Sequence, residues 1–113
     1  MYKFLYKICS RFEWEKAKKI GKFKGTKKDI LDGYIHLSKK QQVKKTLIKH
    51  FVNKNELVLL RIDISKLNYI VWEKSAEGSL FPHLYSFLSL KYVKKCYKIK
   101  LNKNGSYGLP RFF

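Results

Sequence analysis

The run Leu57-Val58-Leu59-Leu60-Arg61-Ile62-Asp63-Ile64 constrains this chain more than any other stretch. It has the length of a strand, and its density of Leu, Val and Ile points to burial on both faces. Residues 2–9, 34–37, 69–73 and 92–101 are rich in β-formers and read as further strands, the last with Val93, Tyr97, Ile99 and Leu101 on one face. Residues 102–105 read as a turn, and 106–113 as a short last strand or tail.

Two helices are marked by their starts. Ser10 with Glu13 three residues on is a capping box, which satisfies free backbone N–H groups. Phe12, Trp14, Ala17 and Ile20 supply that helix's apolar surface, and Gly21 its stop. Ser38 with Gln41 is a second box, opening a helix with the stripe Val43, Leu47 and Phe51 and with Lys39, Lys40, Lys44, Lys45 and Lys49 around the rest. Residues 21–33 read as a loop, punctuated by Gly25-Thr26 and Asp32-Gly33, and residues 77–90 as mostly irregular, broken by Gly78 and Pro82. The sum is a single α+β domain over residues 1–113, a mixed or antiparallel sheet of about five or six strands with two main helices.

Composition excludes several classes. With 45% hydrophobic and 16% aromatic residues the chain holds enough apolar material for a packed core, so disorder is excluded. No apolar run approaches ~20 residues, and residues 1–10 are interrupted by Lys3 and Lys7, so neither a membrane span nor a signal peptide is expected. The expected location is the cytoplasm. Cys9 and Cys96 lie in no metal-binding spacing and read as small buried hydrophobes, a disulfide between them remaining open.

The formal net charge is +18, and no acidic residue follows Glu77. A field of that sign attracts RNA, DNA or another polyanion. Of 26 basic residues, however, only Arg11, Arg61 and Arg111 are arginines. Drift toward lysine codons in an AT-rich genome explains that balance better than selection for phosphate binding, where arginine's planar fork is favoured.

Two clusters carry the residue types of a chemical site. In Asp32-Gly33-Tyr34-Ile35-His36-Leu37-Ser38, alternation puts Tyr34 and His36 on one face, with Ser38 extending it at the strand-to-helix junction. In the second, Trp72-Glu73 precedes Leu80-Phe81-Pro82-His83-Leu84-Tyr85. Glu73 can act as a base or steady a developing cation, His83 sits in a proline-fixed loop, and Trp72 and Tyr85 can stack on a flat ring. Each residue also has a plainer reading: His36 as a satisfied core histidine, Ser38 as a cap, and Trp72, Phe81 and Tyr85 as an aromatic minicore. His36, His50 and His83 lack helical metal spacing, so no metal is expected, and His50 reads as structural. There is no dinucleotide-binding glycine fingerprint, no P-loop and no nucleophile elbow.

The segments "DGYIHLS", "LVLLRIDISKL", "VWE" and "LFPHLY", in that order, resemble the small bacterial family labelled domain of unknown function 952, over about residues 2–101. The chain departs from the family pattern at Ala76-Glu77-Gly78-Ser79, where the family carries an Arg-Gly-Gly-like loop, and at Ser86, where it carries glycine. The family resembles a compact ADP-ribosyltransferase fold, and "GYIHLS" with "LVLLRID" is similar to a stretch of NAD-using RNA 2′-phosphotransferases. The resemblance implies NAD as a ligand. His36 would bond a ribose hydroxyl, helped by Ser38, while Tyr34, Trp72 or Tyr85 would stack on nicotinamide. Glu73 would orient the acceptor or steady the reacting centre, and His83 would bind phosphate or move a proton. Two other readings stand beside this one: a non-catalytic basic module for nucleic acid or a nucleotide, and an interaction protein with an apolar patch around Phe81, Tyr85 and Phe87. The expected state is a monomer or weak dimer.

Overall fold

A computed structural model describes residues 2–113. The apolar run forms the strand on which the domain is assembled. That strand, Leu57–Asp63, pairs antiparallel with Phe4–Ser10 on one edge and with Val93–Leu101 on the other. In chain order these three are β4, β1 and β8. The turn after β8 returns through Tyr107–Gly108 (β9), giving a four-stranded sheet of order β1-β4-β8-β9.

Burial on both faces of β4 is borne out. Val58, Leu60 and Ile62 point to one side, where they pack with Leu5 and Cys9 of β1. Leu57 and Leu59 point to the other, against Tyr6, Ile8 and Ile99. Helix α1, Arg11–Ile20, covers the first side through Ala17 and Trp14. Its capping box closes as expected: Glu13 N–H donates to Ser10 Oγ at 2.9 Å and Ser10 N–H to Glu13 Oε1 at 2.8 Å. Gly21 ends the helix at φ 94°, a left-handed backbone that glycine adopts without a Cβ clash. Phe12, expected on the helix's packed surface, is instead 77% exposed.

Three segments depart from the sequence expectations. Residues 21–33 hold a strand, Lys22–Phe23 (β2), and a helix, Lys27–Asp32 (α2), rather than a loop. Helix α2 has its own capping box, Thr26 with Asp29, and ends at Gly33. Ser38 caps nothing: Lys39 N–H donates to Gln42 Oε1, a 3-10 turn follows at Lys40–Gln42, and helix α3 runs Val43–His50. Residues 77–90 are not irregular, since they contain Leu80–Leu84 (β6) and Leu88–Ser89 (β7).

The sheet is also not single. Ile35–His36 (β3), β6 and Ile70–Lys74 (β5) form a three-stranded sheet of order β3-β6-β5, and β2 pairs with β7. All described pairings are antiparallel. Pro82 sits in the middle strand of the second sheet. Its carbonyl accepts from Leu37 N–H at 3.0 Å, so the missing N–H falls on the β3 side, beyond the two-residue β3 ladder, and no bond to β5 is lost.

The two main sheets are tied where Tyr6 and Ser38 exchange backbone bonds, 2.9 and 2.8 Å long. Ile35, Leu37, Leu84, Ile70 and Trp72 lie on the inner face of the second sheet and complete the first core. Helix α3 covers the second core with Val43 and Leu47. A register shift between Arg61 and Ile62 moves Val93 into the first core while Tyr97 and Ile99 stay in the second, so the face expected from strict alternation in β8 is broken. No described helix is long and apolar enough to cross a membrane.

Candidate functional site

The second sheet has two unlike faces because its strands alternate. With Ile35 and Leu84 turned into the core, Tyr34, His36, Phe81, His83 and Tyr85 project from the other face. In β5 the same rule sends Glu73 to this face and Trp72 to the core. His36 and His83 are direct register partners. Their ring centroids are 5.4 Å apart, with Tyr34 stacked on His83 at 4.1 Å and tilted against His36 at 4.6 Å.

Each histidine is held by its own carboxylate. His36 Nδ1 lies 2.6 Å from Asp29 Oδ1 and Nε2 lies 3.0 Å from Asp32 Oδ2, so both ring nitrogens face acceptors. His83 Nδ1 lies 2.7 Å from Glu73 Oε1, which also accepts from Tyr85 OH at 2.6 Å. With Nδ1 engaged, Nε2 is the nitrogen that His83 has left for a ligand. The bonds from Tyr85 and His83 hold the Glu73 carboxyl below its ordinary value, and the bond to Glu73 pushes the Tyr85 phenol up to about 12. Burial, together with the charges of Asp32 and Glu73, raises the Tyr34 phenol.

Asp29 organises the first half of the site. It is only 2% exposed, yet it meets the Lys7 ammonium at 2.8 Å, the Thr26 N–H at 2.8 Å and the His36 N–H at 3.1 Å. Burial alone would raise its pKa. The bonds from His36, Lys7 and Thr26 and the Lys7 charge outweigh burial and hold the carboxyl far below the usual carboxylate range. Lys7, 4% exposed, also donates to the His36 carbonyl at 2.9 Å.

The histidines open onto a cleft of about 640 Å³ between the second sheet, α2, α3 and the β5–β6 turn. Ser38 lines it, buried, and His50 stands largely exposed on its rim, where partial desolvation of the ring and the charges of Lys28 and Lys49 lower its pKa. An ion pair between Lys49 of α3 and Glu77 of the turn spans it. Lysines line the cleft on several elements, among them Lys74 at the end of β5.

Of the residues expected from sequence, Tyr34, His36, Glu73, His83 and Tyr85 therefore come together, and Ser38 lies at the cleft wall. Trp72 does not join them: it packs against the first core and stacks on Tyr2 with ring centroids 5.5 Å apart. Lys7 and Asp29 belong to the site although the sequence gives them no part in it, and Asp32, read from sequence only as turn punctuation opening the first cluster, faces His36 Nε2. Cys96 is exposed rather than buried, and both cysteines are free.

The solved crystal structure of protein CC0527 from Caulobacter crescentus is similar to this chain, with 38% identity, 94% of each chain covered and a TM-score of 0.87. A double mutant of that protein gives the same figures. Its solution NMR structure matches at 39% identity over 92% of this chain and 90% of that one, with a TM-score of 0.80. No curated protein matches. The model of the family described as Protein of unknown function (DUF952) matches residues 8–96, and the chain belongs to that family.

Proposed function

We propose that the domain is an NAD-dependent transferase, with NAD either as the donor of an ADP-ribosyl group, nicotinamide leaving, or as the acceptor of a phosphate from the 2′ position of RNA. The observation that carries this reading is the pair of register-matched histidines, each oriented by a carboxylate at Nδ1, in a lysine-lined cleft of about 640 Å³. Catalytic histidines are commonly oriented this way, and the cleft lies within the usual size range for small-molecule sites. The donor set suits NAD: ammonium groups for its phosphates, histidine nitrogens for ribose hydroxyls, and the rings of Tyr34 and Tyr85 for nicotinamide.

When bound, NAD supplies a glycosidic bond that breaks with positive charge developing on the sugar. His36, steadied by Asp29, bonds a ribose hydroxyl once Asp32 yields the position at Nε2. His83, steadied by Glu73, binds phosphate or moves a proton at its Nε2. Glu73 adds negative charge to the face on which the sugar would lie. Trp72 takes no part in the stacking, since its ring is committed to the core.

The test is a titration with NAD followed by amide shifts, at low and high salt, in the natural protein and in His36→Ala. Saturable binding that persists in salt and is lost in a folded His36→Ala variant supports the reading. No binding, or binding that salt removes and His36→Ala leaves alone, rejects it and leaves a non-catalytic basic module.

A further inference from the structure

We infer that this cleft also receives a strand of single-stranded nucleic acid, with its phosphates on four unpaired lysines and its bases on the row of rings that leads out of the cleft. The inference deepens the nucleotide-site reading by naming the macromolecular partner of the same face. It stands on two independent observations.

The first is where the free cations are. Lys7, Lys28 and Lys49 each have a carboxylate partner. Lys27, Lys45, Lys54 and Lys74 line the same cleft, are exposed, and make no ion pair among the described residues. They come from α2, α3, the segment after α3, and β5, so they reach the cleft from four segments rather than coat one helix. Lysines on a solvated helix face would not converge from four segments. Cations that line one cleft concentrate their field within it and favour an anion that can enter.

The second is the ring row. Tyr34 stacks on His83 within the cleft, and Tyr85 follows at 5.2 Å from Tyr34 with 43% of its surface exposed. Tyr69 adjoins it, 70% exposed, its carbonyl accepting from Tyr85 N–H at 2.9 Å. Exposed rings beside a basic groove form a sequence-tolerant platform for unpaired bases. A flat anionic membrane cannot enter the cleft, and a duplex is too wide for a cavity of about 640 Å³. An acidic polypeptide would satisfy the lysines but has no use for the rings.

The experiment measures binding of fluorescent ten-nucleotide oligo-U and oligo-dT by anisotropy across salt concentrations, with polyglutamate and anionic phosphatidylserine vesicles as competitors. Four phosphate contacts predict a log–log salt slope of about −3 and a fall of about 50-fold between ~50 and ~200 mM salt. Lys45→Gln should reduce the slope by about 0.7. Tyr85→Ala should weaken binding about tenfold while leaving the slope unchanged. Both side chains are exposed, and circular dichroism verifies that the variants fold. Absence of oligonucleotide binding overturns the inference, as does equal binding of polyglutamate or of vesicles, or a Tyr85→Ala variant that binds normally. Oligonucleotide binding without NAD binding upholds this inference and rejects the NAD reading. NAD binding without oligonucleotide binding does the reverse.

Discussion

His36 and His83 are partners across a two-strand ladder, 5.4 Å apart at their ring centroids, yet they answer to different supports. His36 is fixed from below by Asp29, a buried residue locked by Lys7 and Thr26. His83 is fixed from the side by Glu73, a partly exposed residue tied to Tyr85. The two halves of the site should therefore respond differently to substitution and to pH.

The Lys7–Asp29 pair should behave as a buried ion pair. Either Lys7→Met or Asp29→Leu alone leaves an uncompensated charge in the core and should cost about 3–5 kcal/mol. The double variant should cost much less than the sum, and urea unfolding of all four proteins measures the coupling. Additive losses would show that the pair is not coupled.

The same carboxylate sets an acid limit. Because folding holds the Asp29 pKa below its ordinary 3.8, its contribution is full above that value and is lost as pH falls below it toward the folded pKa. The stability gap between the natural protein and Asp29→Asn should therefore stay constant above about pH 5 and narrow as pH is lowered from about 4 to about 2.5. A gap independent of pH in that window would contradict the assignment.

The other half should titrate in base. The Tyr85 phenol, pushed up to about 12, should ionise well above the ordinary tyrosine value of 10. Its contact with Glu73 is intact below the ordinary value of 10 and fades as pH rises through about 12. Ultraviolet difference titration against Tyr85→Phe isolates this group, and adding Glu73→Gln should bring it back toward 10.

Gly25 offers a way to disturb His36 without touching it. At φ 112° the backbone disfavours any residue with a Cβ, and an added Cβ would stand 2.8 Å from Asp29 Cβ. Gly25→Ala should destabilise the protein by more than about 1 kcal/mol and displace the Asp29 carboxylate. Thermal melting reads the first effect, and a changed His36 side-chain shift in NMR reads the second. An unchanged His36 signal would show that Asp29 does not position the ring.

The cysteines should separate cleanly. Burial pushes the Cys9 thiol up to about 12, whereas Cys96 is exposed. A thiol reagent should label one cysteine in the folded protein, and the second only on unfolding. Equal labelling rates would place Cys9 nearer the surface than β1 puts it.

Local rules made part of this site legible. The Ser10–Glu13 box, the buried strand β4 and the shared face of Tyr34 and His36 follow from spacing alone. Trp72 and Glu73 could have been separated by the same rule, since neighbours in a strand face opposite ways and only one of them can join the histidines. Lys7 carried a similar signal: it shares parity with the buried Leu5 and Cys9, so its ammonium had to find a buried partner. The Thr26–Asp29 spacing announces α2, but the glycines on either side suggest a loop. What spacing does not contain is where α2 docks, and that decides whether Asp29 is only a cap or the support of a histidine. Pro82 misleads for a related reason, because its cost depends on which neighbour its missing N–H would have faced, and that neighbour lies far away in sequence.

The alternation that builds the site also limits how a lineage can alter it. Every site residue on β3 and β6 is interleaved with a core residue, so exchanging one site side chain for another leaves the inner face untouched. Inserting or deleting one residue within either strand would instead turn the histidine into the core and Ile35 or Leu84 into the cleft. The chemistry of this fold is thus free to diverge by substitution, while the lengths of these two short strands are held fixed by the hydrophobic layer behind them.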